Sequence, residues 1–575
     1  MAATDARTLA HLLRQRSDAE LSALLAARQV PPTADWHDAF DAAEALLEPA
    51  AVERALTGLT AGEADAMEAA AGAVPPGPVR TALFERALVD ADGVPYGAVA
   101  DAFRALTPVG AVADATGDAH EAGDAHEAER AFAAIGSLAD ILYTALTTPL
   151  SRIGAGTLGA ADRRRLIESG AAADAATADE LVEIAARAGL LAAVDRAWLL
   201  TARGHTWLHS STIARWVEVA SALVAGLPAA LRRPDGGWLP LDDWPGAHPF
   251  DPAWPARATA TAALLRRWTL LDGAGRPTAW ARPAAAGGFF DADALIALLP
   301  PEVDRVYLQN DLTAIAPGSL APHLDIRLRS MARRESGAQA SSYRFTAETL
   351  GDALTSGETA ESLREFLLEL SLTGLPQPLA YEIERTAGRH GALRVGPDGR
   401  GRTRVSSDDE ALLRTVAVDQ ALRPLGLVYD GEAGSAPHSL FSRTGADTAF
   451  WMLADARYPV VAVDADGNRR GLDRHRLADE PAPPPDPVQL YAPLLARLRS
   501  GNAADAEAAW LGRELEHAVR ARATIVVTVR LPDGAERAFT IEATGLGGGR
   551  LRGRDKQVDV ERTLPVSSIV SVRSD

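Results

Sequence analysis

Residues 303–404 carry the pattern that most restricts the fold of this chain. Short apolar runs alternate there with amphipathic segments that begin at capping residues and end at glycine or proline. The order of strand, three helices, strand and polar hairpin predicts a winged helix-turn-helix over residues 342–404. The predicted elements are strands at 303–308 and 313–316, a helix from about His323 to Glu335, a strand at 342–345, helices at 346–357, 360–371 and 376–391, a strand at 392–395 and a hairpin at 396–404.

The other residues must form further units, because 575 residues are too many for one hydrophobic core. The patterns along the chain predict a mainly α fold with small β ribbons (α+β), made of tandem winged-helix-like domains and a C-terminal SH3-like small β-barrel. Four strands are predicted for the barrel, at 524–531, 536–544, 558–564 and 568–573. The predicted divisions are an N-terminal helical domain at 1–115, a linker at 116–130, a winged-helix-like domain at 131–230, a Trp- and Pro-rich connecting region at 231–300, a domain at 301–470 that contains the winged helix, a Pro-rich linker at 471–487, and a helix with the barrel at 488–575.

Tryptophan is concentrated in one part of the chain. Eight of the 11 tryptophans lie between Trp198 and Trp280. Because an indole ring buries a large apolar area, we interpret them as anchors of a compact core rather than as surfaces on which bases stack.

The basic residues exclude several classes of chemistry. Of the 58 basic residues one is a lysine, Lys556, and the chain contains no cysteine. A P-loop needs a lysine after a glycine-rich turn, and no such turn precedes Lys556. Schiff-base lysines elsewhere in the chain, thiol nucleophiles and cysteine-ligated metals are excluded in the same way. We find no catalytic constellation and expect a protein that is not an enzyme and that uses no cofactor.

Four short motifs resemble functional sites, but each has a plainer explanation. Residues 154–159 match the glycine spacing of a dinucleotide-binding turn, yet no apolar strand precedes them, so we expect a loop. His205 and His209 have no companion ligand, and we expect no metal there. Residues 464–468 resemble the start of a calcium loop and more closely fit a hairpin turn. The acidic run at 408–410 is interpreted as a helix N-terminus.

The formal charge of −19 is unevenly distributed. Residues 1–150 contain 9 arginines and 23 acidic residues, whereas residues 376–404 contain six arginines and three acidic residues. Arginines on one face are the usual source of non-specific DNA affinity, although arginine is also the ordinary surface cation of this chain. The candidate DNA-binding residues are Arg385, Arg389, His390, Arg394, Arg402 and Arg404 on the third helix and hairpin, and Arg327, Arg333 and Arg334 on the preceding helix.

We expect a cytoplasmic protein that does not enter a membrane. The N-terminus lacks the basic and apolar segments of a signal peptide, and no stretch approaches the roughly 18 apolar residues of a membrane span.

The stretch from Val306 to about Val463 resembles the N-terminal domain of XPB-type DNA repair helicases, as found in bacterial helicase-associated proteins. The C-terminal strands are similar to WYL-type ligand-sensing modules, through residues 553–555 and 563–569, although the Trp-Tyr-Leu run that defines those modules is not present. The residues that carry the helicase resemblance are 306–318, 333–336, 343–346, 353–357, 375–376, 389–391, 418–422 and 425–427, with 9–18 and 54–59 near the N-terminus.

The resemblance implies a role beside a helicase. In the helicases this domain precedes two ATPase lobes, and this chain contains no such motor. We therefore expect a non-catalytic DNA-binding or helicase-associated adaptor in DNA repair or transcription, with DNA and a helicase or repair protein as partners. One alternative is a protein–protein scaffold whose winged helices are interaction modules. Another is a helicase-family ATPase, which the missing P-loop lysine disfavours.

Overall fold

The computed structural model describes residues 2–70, 72–109, 123–154, 156–337, 340–429, 438–472, 476–479, 485–500, 511–512, 514–516, 518–531, 534–556 and 558–574. About 49% of the protein is helical and 19% is strand, and the sheets are small and separate. The expected class, mainly α within an α+β fold, is therefore confirmed. Within these residues the buried apolar side chains form five clusters.

The N-terminal unit consists of helices. Leucines spaced three or four residues apart lie on one face of each of the first two helices, so Leu9, Leu13, Leu21 and Leu25 belong to one buried cluster. Ser17 caps the second helix: its Oγ accepts from the Glu20 N–H, and its own N–H donates to Glu20 Oε2. The helices are α1 (Ala2–Gln15), α2 (Asp18–Ala27), α3 (Ala39–Leu47), α4 (Pro49–Thr57), α5 (Ala61–Ala69), α6 (Pro78–Glu85) and α7 (Gly97–Ala105).

The second unit begins with a long helix that covers a four-stranded antiparallel sheet. The strand order is β2-β1-β4-β3, and two helices lie between β2 and β3 in the chain. Residues 124–130, expected in a linker, belong to the first helix, since Ala128 faces the core and Glu127 is buried against Arg130. The elements are α8 (Asp124–Thr147), β1 (Leu150–Ile153), β2 (Thr157–Leu158), α9 (Ala160–Glu168), α10 (Ala175–Arg187), β3 (Leu191–Val194), β4 (Ala197–Leu200), α11 (Ala202–His209) and α12 (Thr212–Ala225).

The tryptophan-rich residues 231–300 belong to the core of the second unit, so the expectation of a connecting region was wrong. All eight tryptophans from Trp198 to Trp280 are buried, which confirms their interpretation as core anchors. The indole N–H of Trp216 donates to the Trp268 carbonyl (3.1 Å), and that of Trp268 donates to the Trp216 carbonyl (3.0 Å). The helices here are two 3-10 turns (Ala229–Leu231 and Leu241–Asp243), α13 (Trp254–Arg267), α14 (Arg282–Ala285) and α15 (Ala292–Ile296).

The third unit contains the three helices predicted for the helix-turn-helix. Thr346 caps the first of them, as expected. The preceding helix ends at Met331, four residues earlier than expected, because the chain becomes extended at Ala332 and pairs with the next strand. Its elements are β5 (Glu302–Val303), β6 (Tyr307–Leu308), β7 (Thr313–Ala316), β8 (Ser319–Leu320), α16 (Pro322–Met331), β9 (Arg333–Gly337), β10 (Ser341–Arg344), α17 (Ala347–Thr355), α18 (Ala360–Leu370) and α19 (Gln377–Arg389), with a sheet order of β6-β7-β10-β9.

The hairpin expected as an exposed wing lies instead at the centre of a six-stranded sheet with its own core. Leu393, Val395 and Val405 point into that core, and two more strands flank the hairpin on each side. The elements are β11 (Leu393–Pro397), β12 (Thr403–Ser406), α20 (Glu410–Val418), a 3-10 turn (Gln420–Leu425), β13 (Val428–Tyr429), β14 (Ser439–Ser442), α21 (Ala446–Asp455), β15 (Val460–Val463) and β16 (Arg469–Arg470), in the sheet order β13-β14-β12-β11-β15-β16.

The C-terminal helix and strands do not share a core. The helix α22 (Pro487–Ser500) inserts Tyr491, Leu494, Leu495 and Leu498 into the N-terminal cluster, where the Tyr491 hydroxyl donates to the Val30 carbonyl (2.7 Å). The strands form a separate antiparallel sheet that has one strand more than expected. They are β17 (Thr524–Arg530), β18 (Glu536–Gly547), β19 (Arg550–Asp555), β20 (Val560–Pro565) and, after a 3-10 turn (Val566–Ser568), β21 (Ile569–Ser574), in the order β20-β19-β18-β17-β21.

Two motif interpretations are confirmed by local hydrogen bonds. Asp464 accepts from the N–H groups of Asp466 and Asn468 in a turn between β15 and β16. Asp409 caps α20, as expected for the acidic run. Parts of the expected linkers, residues 116–122, 473–475 and 480–484, lie outside the described residues.

The described residues contain neither a helix that could cross a membrane nor a candidate metal site. None of the helices there is long and apolar enough to cross a membrane. No group of three or more His, Cys, Asp and Glu side chains in that part of the chain has the arrangement of a metal site.

Candidate nucleic-acid interface

The predicted recognition helix, α19, is amphipathic but carries little free positive charge. Leu379 and Ile383 are buried, whereas Arg385 and Arg389 lie on the exposed side. Arg385 forms an ion pair with Glu382 on the same helix (2.7 Å). Arg389 at the C-terminal end has no acidic partner within the described residues.

The acidic side chains of α19 interleave with its arginines. Glu382 is occupied by Arg385, and Glu384 pairs with Arg364 of α18 (2.9 Å). These carboxylates bring negative charge to the face on which phosphate would bind, so the helix alone is a weak phosphate-binding surface.

The hairpin arginines are also largely neutralised. Arg394 pairs with Asp408, and Arg402 pairs with Asp398 (2.7 Å) while its guanidinium lies over the Phe441 ring (4.4 Å). Burial opposes ionisation of Asp398, but hydrogen bonds from the Arg402 side chain and from backbone N–H groups lower its pKa to about 2. Asp398 therefore stays charged and holds Arg402.

Arg404 is the hairpin arginine that remains available. It lies on β12 between the buried Thr403 and Val405, so its side chain points to the face opposite the core. No ion pair involves Arg404 within the described residues.

His390 lies at the junction between α19 and β11 and is half-buried. Its Nε2 is buried without a hydrogen-bond partner in the described part of the chain. Burial, followed by the positive charge of Arg469, lowers the pKa of His390. A neutral, half-buried imidazole is poorly suited to contact a phosphate.

The second arginine cluster is only partly available to DNA, because some of its arginines form ion pairs within the protein. Arg334 and Arg329 both pair with Asp140 of α8, Arg329 at 2.8 Å. Arg327 pairs with Glu358 (3.0 Å) and covers the Phe366 ring (4.3 Å). The expectation that Arg333 and Arg334 lie on the helix was wrong, since both are on β9.

Three of the nine predicted residues are exposed arginines without an acidic partner in the described residues: Arg333, Arg389 and Arg404. They lie on β9, at the end of α19 and on β12. Their binding to DNA stays a prediction.

The C-terminal sheet presents an arginine stripe that the sequence reasoning missed. Along β19, Arg550, Arg552 and Arg554 are exposed and alternate with the buried Leu551, Gly553 and Asp555. Arg554 pairs with Asp559 (2.6 Å), whereas Arg550 and Arg552 have no acidic partner among the described residues.

Glycines of β18 lie beside two arginines of this stripe. Arg550 lies opposite Gly547 on β18, and Arg552 lies opposite Gly545. The strand β18 therefore places no side chain between these arginines and a ligand. The lone lysine, Lys556, follows β19 and lies 4.0 Å from Glu542. A period of two in arginine, Arg-x-Arg-x-Arg, is the signal that could have identified this face.

A family model described as helicase conserved C-terminal domain matches residues 306–429. The match runs from β6 to β13 and so includes the three helices and the central hairpin. It indicates a helicase-related protein. No curated protein matches the chain.

Proposed function

We propose that this protein is a non-catalytic, DNA-binding adaptor that works with a helicase in DNA repair or transcription in the cytoplasm. The observation that carries the proposal is the presence of Arg550 and Arg552, which have no acidic partner among the described residues, on one strand of a helicase-related chain. Arginines that neutralise phosphates supply most non-specific affinity for DNA.

The spacing of the stripe suits a phosphate backbone. Successive side chains on one face of a strand are about 6.8 Å apart. Phosphates of one DNA strand rise by about 3.4 Å along the helix axis and also rotate around it, so the long arginine side chains can reach neighbouring phosphates of one backbone. Gly545 and Gly547 leave room for the backbone to approach. These contacts position DNA without reading its sequence.

The resemblance to the N-terminal domain of XPB-type helicases supports the helicase partner. The family match begins at Val306, where the resemblance also begins. The resemblance to WYL-type modules would make the C-terminal sheet a ligand-sensing element. In this proposal the ligand is anionic, because the arginine stripe would bind it.

The absence of a motor in this chain is part of the proposal. Lys556 is the lone lysine, and Leu551, Arg552 and Gly553 precede it on a strand rather than in a glycine-rich phosphate loop. ATP hydrolysis stimulated by DNA in the purified protein would contradict this.

Fluorescence anisotropy with labelled duplex and forked DNA tests the proposal. We expect binding at low salt and, for Arg550→Ala with Arg552→Ala, an affinity at least about tenfold lower. The control removes two arginines of the same sheet that are already paired, Arg530→Ala with Arg554→Ala, and should have a smaller effect. No binding by the unaltered protein at low salt would overturn the proposal.

A protein–protein scaffold is the second candidate, and the acidic side chains of α10 favour it. In the second unit α10 precedes the β3–β4 hairpin, in the place of a recognition helix. Its carboxylates are paired with arginines, which leaves no basic face toward DNA: Asp179 with Arg163, Glu180 with Arg267 and Glu183 with Arg187. Absence of DNA binding combined with recovery of a helicase from nuclease-treated lysate would favour the scaffold.

A further inference from the structure

Four large apolar side chains are exposed on the outer side of the third unit. Tyr307, Leu368, Leu372 and Tyr381, which we name the α18–α19 patch, are each at least 44% exposed. The opposite side of α18 is fully used, since Leu363, Phe366, Leu367 and Leu370 are buried in the core. Core formation therefore does not explain the two exposed leucines.

Leu368 and Tyr381 lie close to the contact between α18 and α19. The Arg364–Glu384 ion pair (2.9 Å) places α18 beside α19. Leu368 and Tyr381 are each about one turn from this pair, on the side where residues 371–376 connect the two helices.

The strand β6 extends the patch. Val306 pairs with Ser371, and the Leu372 N–H donates to the Val306 carbonyl (2.9 Å). Tyr307 and Leu372 are therefore adjacent and both exposed. Single exposed apolar residues are ordinary, but a contiguous group marks an interaction site.

The rim of the patch is acidic. Glu361, Glu365 and Glu369 follow one another at intervals of four on the exposed side of α18, and none has an ion pair within the described residues. Arg364 is neutralised by Glu384, while Arg305 donates to the Glu369 carbonyl. Three carboxylates against one uncompensated arginine disfavour a phosphate backbone and favour a cationic partner.

We propose that the α18–α19 patch binds a basic amphipathic helix of a partner protein. Leucines or isoleucines of that helix, at the i, i+3, i+4 and i+7 positions, would contact the two leucines and two tyrosines. Lysines or arginines on its flanks would lie beside the glutamates of α18. Aromatic residues in a desolvated centre and charges at the rim are the usual anatomy of such interfaces. The proposal does not depend on DNA binding by β19.

Binding of two synthetic peptides to the full chain tests this surface. Both peptides carry leucines at i, i+3, i+4 and i+7; one has lysines at its other positions and the other has glutamates. We expect the lysine peptide to bind at least about tenfold more tightly. Leu368→Ser with Leu372→Ser should weaken the lysine peptide about tenfold or more.

The control is Val418→Ser, which removes an apolar side chain of α20 that is even more exposed than the two leucines and should leave peptide binding unchanged. Glu365→Arg with Glu369→Arg should reverse the preference between the two peptides. Equal binding of the lysine peptide by the unaltered protein and the leucine variant would overturn the proposal.

Evidence that DNA or a second copy of this chain binds the α18–α19 patch would also overturn the proposal. If the leucine variant loses affinity for duplex DNA while peptide binding is unchanged, the patch belongs to nucleic acid. If sedimentation shows a dimer that the leucine variant abolishes, a second copy of this chain occupies the patch.

Discussion

Asp140 of α8 determines what Arg334, one of the predicted DNA-binding arginines, and the nearby Arg329 do. It accepts from Arg329 Nη1 (2.8 Å) and from Arg334, and all three side chains are mostly buried. The Arg329 guanidinium also lies over the Tyr143 ring (3.9 Å), whose hydroxyl donates to the Arg329 carbonyl (3.0 Å). Arginine composition alone could not distinguish such internal cations from a DNA-binding face, because the distinction depends on a residue nearly 190 positions away.

Removal of Asp140 should be costly. Asp140→Ala leaves the mostly buried Arg334 without its carboxylate and Arg329 with only Asp325 at 3.6 Å, and we expect the free energy of unfolding to fall by about 3 kcal/mol. Urea denaturation followed by tryptophan fluorescence measures it, since the adjacent core contains the buried tryptophans. Asp179, the ion-pair partner of Arg163, is more exposed than Asp140. Asp179→Ala should therefore lower the free energy of unfolding by less than about 1 kcal/mol. Equal losses in the two variants would contradict this account of Asp140.

His390 should make stability depend on pH. Because burial and then Arg469 lower its pKa below the ordinary 6.5, the unfolded chain takes up this proton more readily than the folded chain. Stability from this group is complete above about pH 6.5 and falls as the pH decreases toward the lowered pKa. The unaltered protein should lose more stability between about pH 7.5 and 5.5 than His390→Gln loses. Identical pH profiles would show that His390 is not the titrating group.

At the scale of elements, local sequence predicted helices well and one decisive strand poorly. Capping by Ser17 and Thr346 was readable from the sequence because a cap involves residues three apart. The strand β19 was missed because Gly553 and Asp555 are poor strand formers, and its formation depends on pairing with β18 and β20. The hairpin of β11 and β12, expected as a wing, likewise pairs with strands distant in sequence, β14 and β15, and so lies at the centre of a sheet.

The close approach of β18 to β19 can be tested at a glycine. A Cβ on Gly553 would lie 2.7 Å from the Glu542 carbonyl oxygen, whereas a Cβ on Gly545 meets nothing within 4 Å. Gly553→Ala should therefore destabilise the C-terminal sheet by about 1–3 kcal/mol. Hydrogen exchange of residues 536–555 should show faster opening in Gly553→Ala and little change in Gly545→Ala. Equal protection in both variants would contradict the register of this strand pair.

At the scale of the whole molecule, the helix α22 near the C-terminal end packs against the N-terminal helices. The contact between Tyr491 and Val30 joins residues 461 positions apart. The amphipathic pattern of α22 predicted a helix but contained no information about which core it enters, since its leucines fit any apolar surface. The division of the chain into sequential domains was therefore inaccurate at this point.

Substitution of a buried leucine in α22 tests the packing of this helix against the N-terminal helices. Leu494 is fully buried in the N-terminal cluster, whereas Leu490 on the same helix is exposed. Leu494→Ala should cost about 2–5 kcal/mol and increase hydrogen exchange in α1–α3, while Leu490→Ala should do neither. Increased exchange confined to the C-terminal strands would contradict the placement of α22.

The central claim, that β19 binds DNA through its free arginines, is tested most directly by a salt series. Each neutralised phosphate contributes about 0.9 to the slope of log Kobs against log salt concentration. Arg550→Ala with Arg552→Ala should make the slope for duplex DNA shallower by about 1.8, and the paired-arginine control, Arg530→Ala with Arg554→Ala, should change it much less. The same slope for the unaltered protein and the Arg550→Ala, Arg552→Ala variant would contradict the claim.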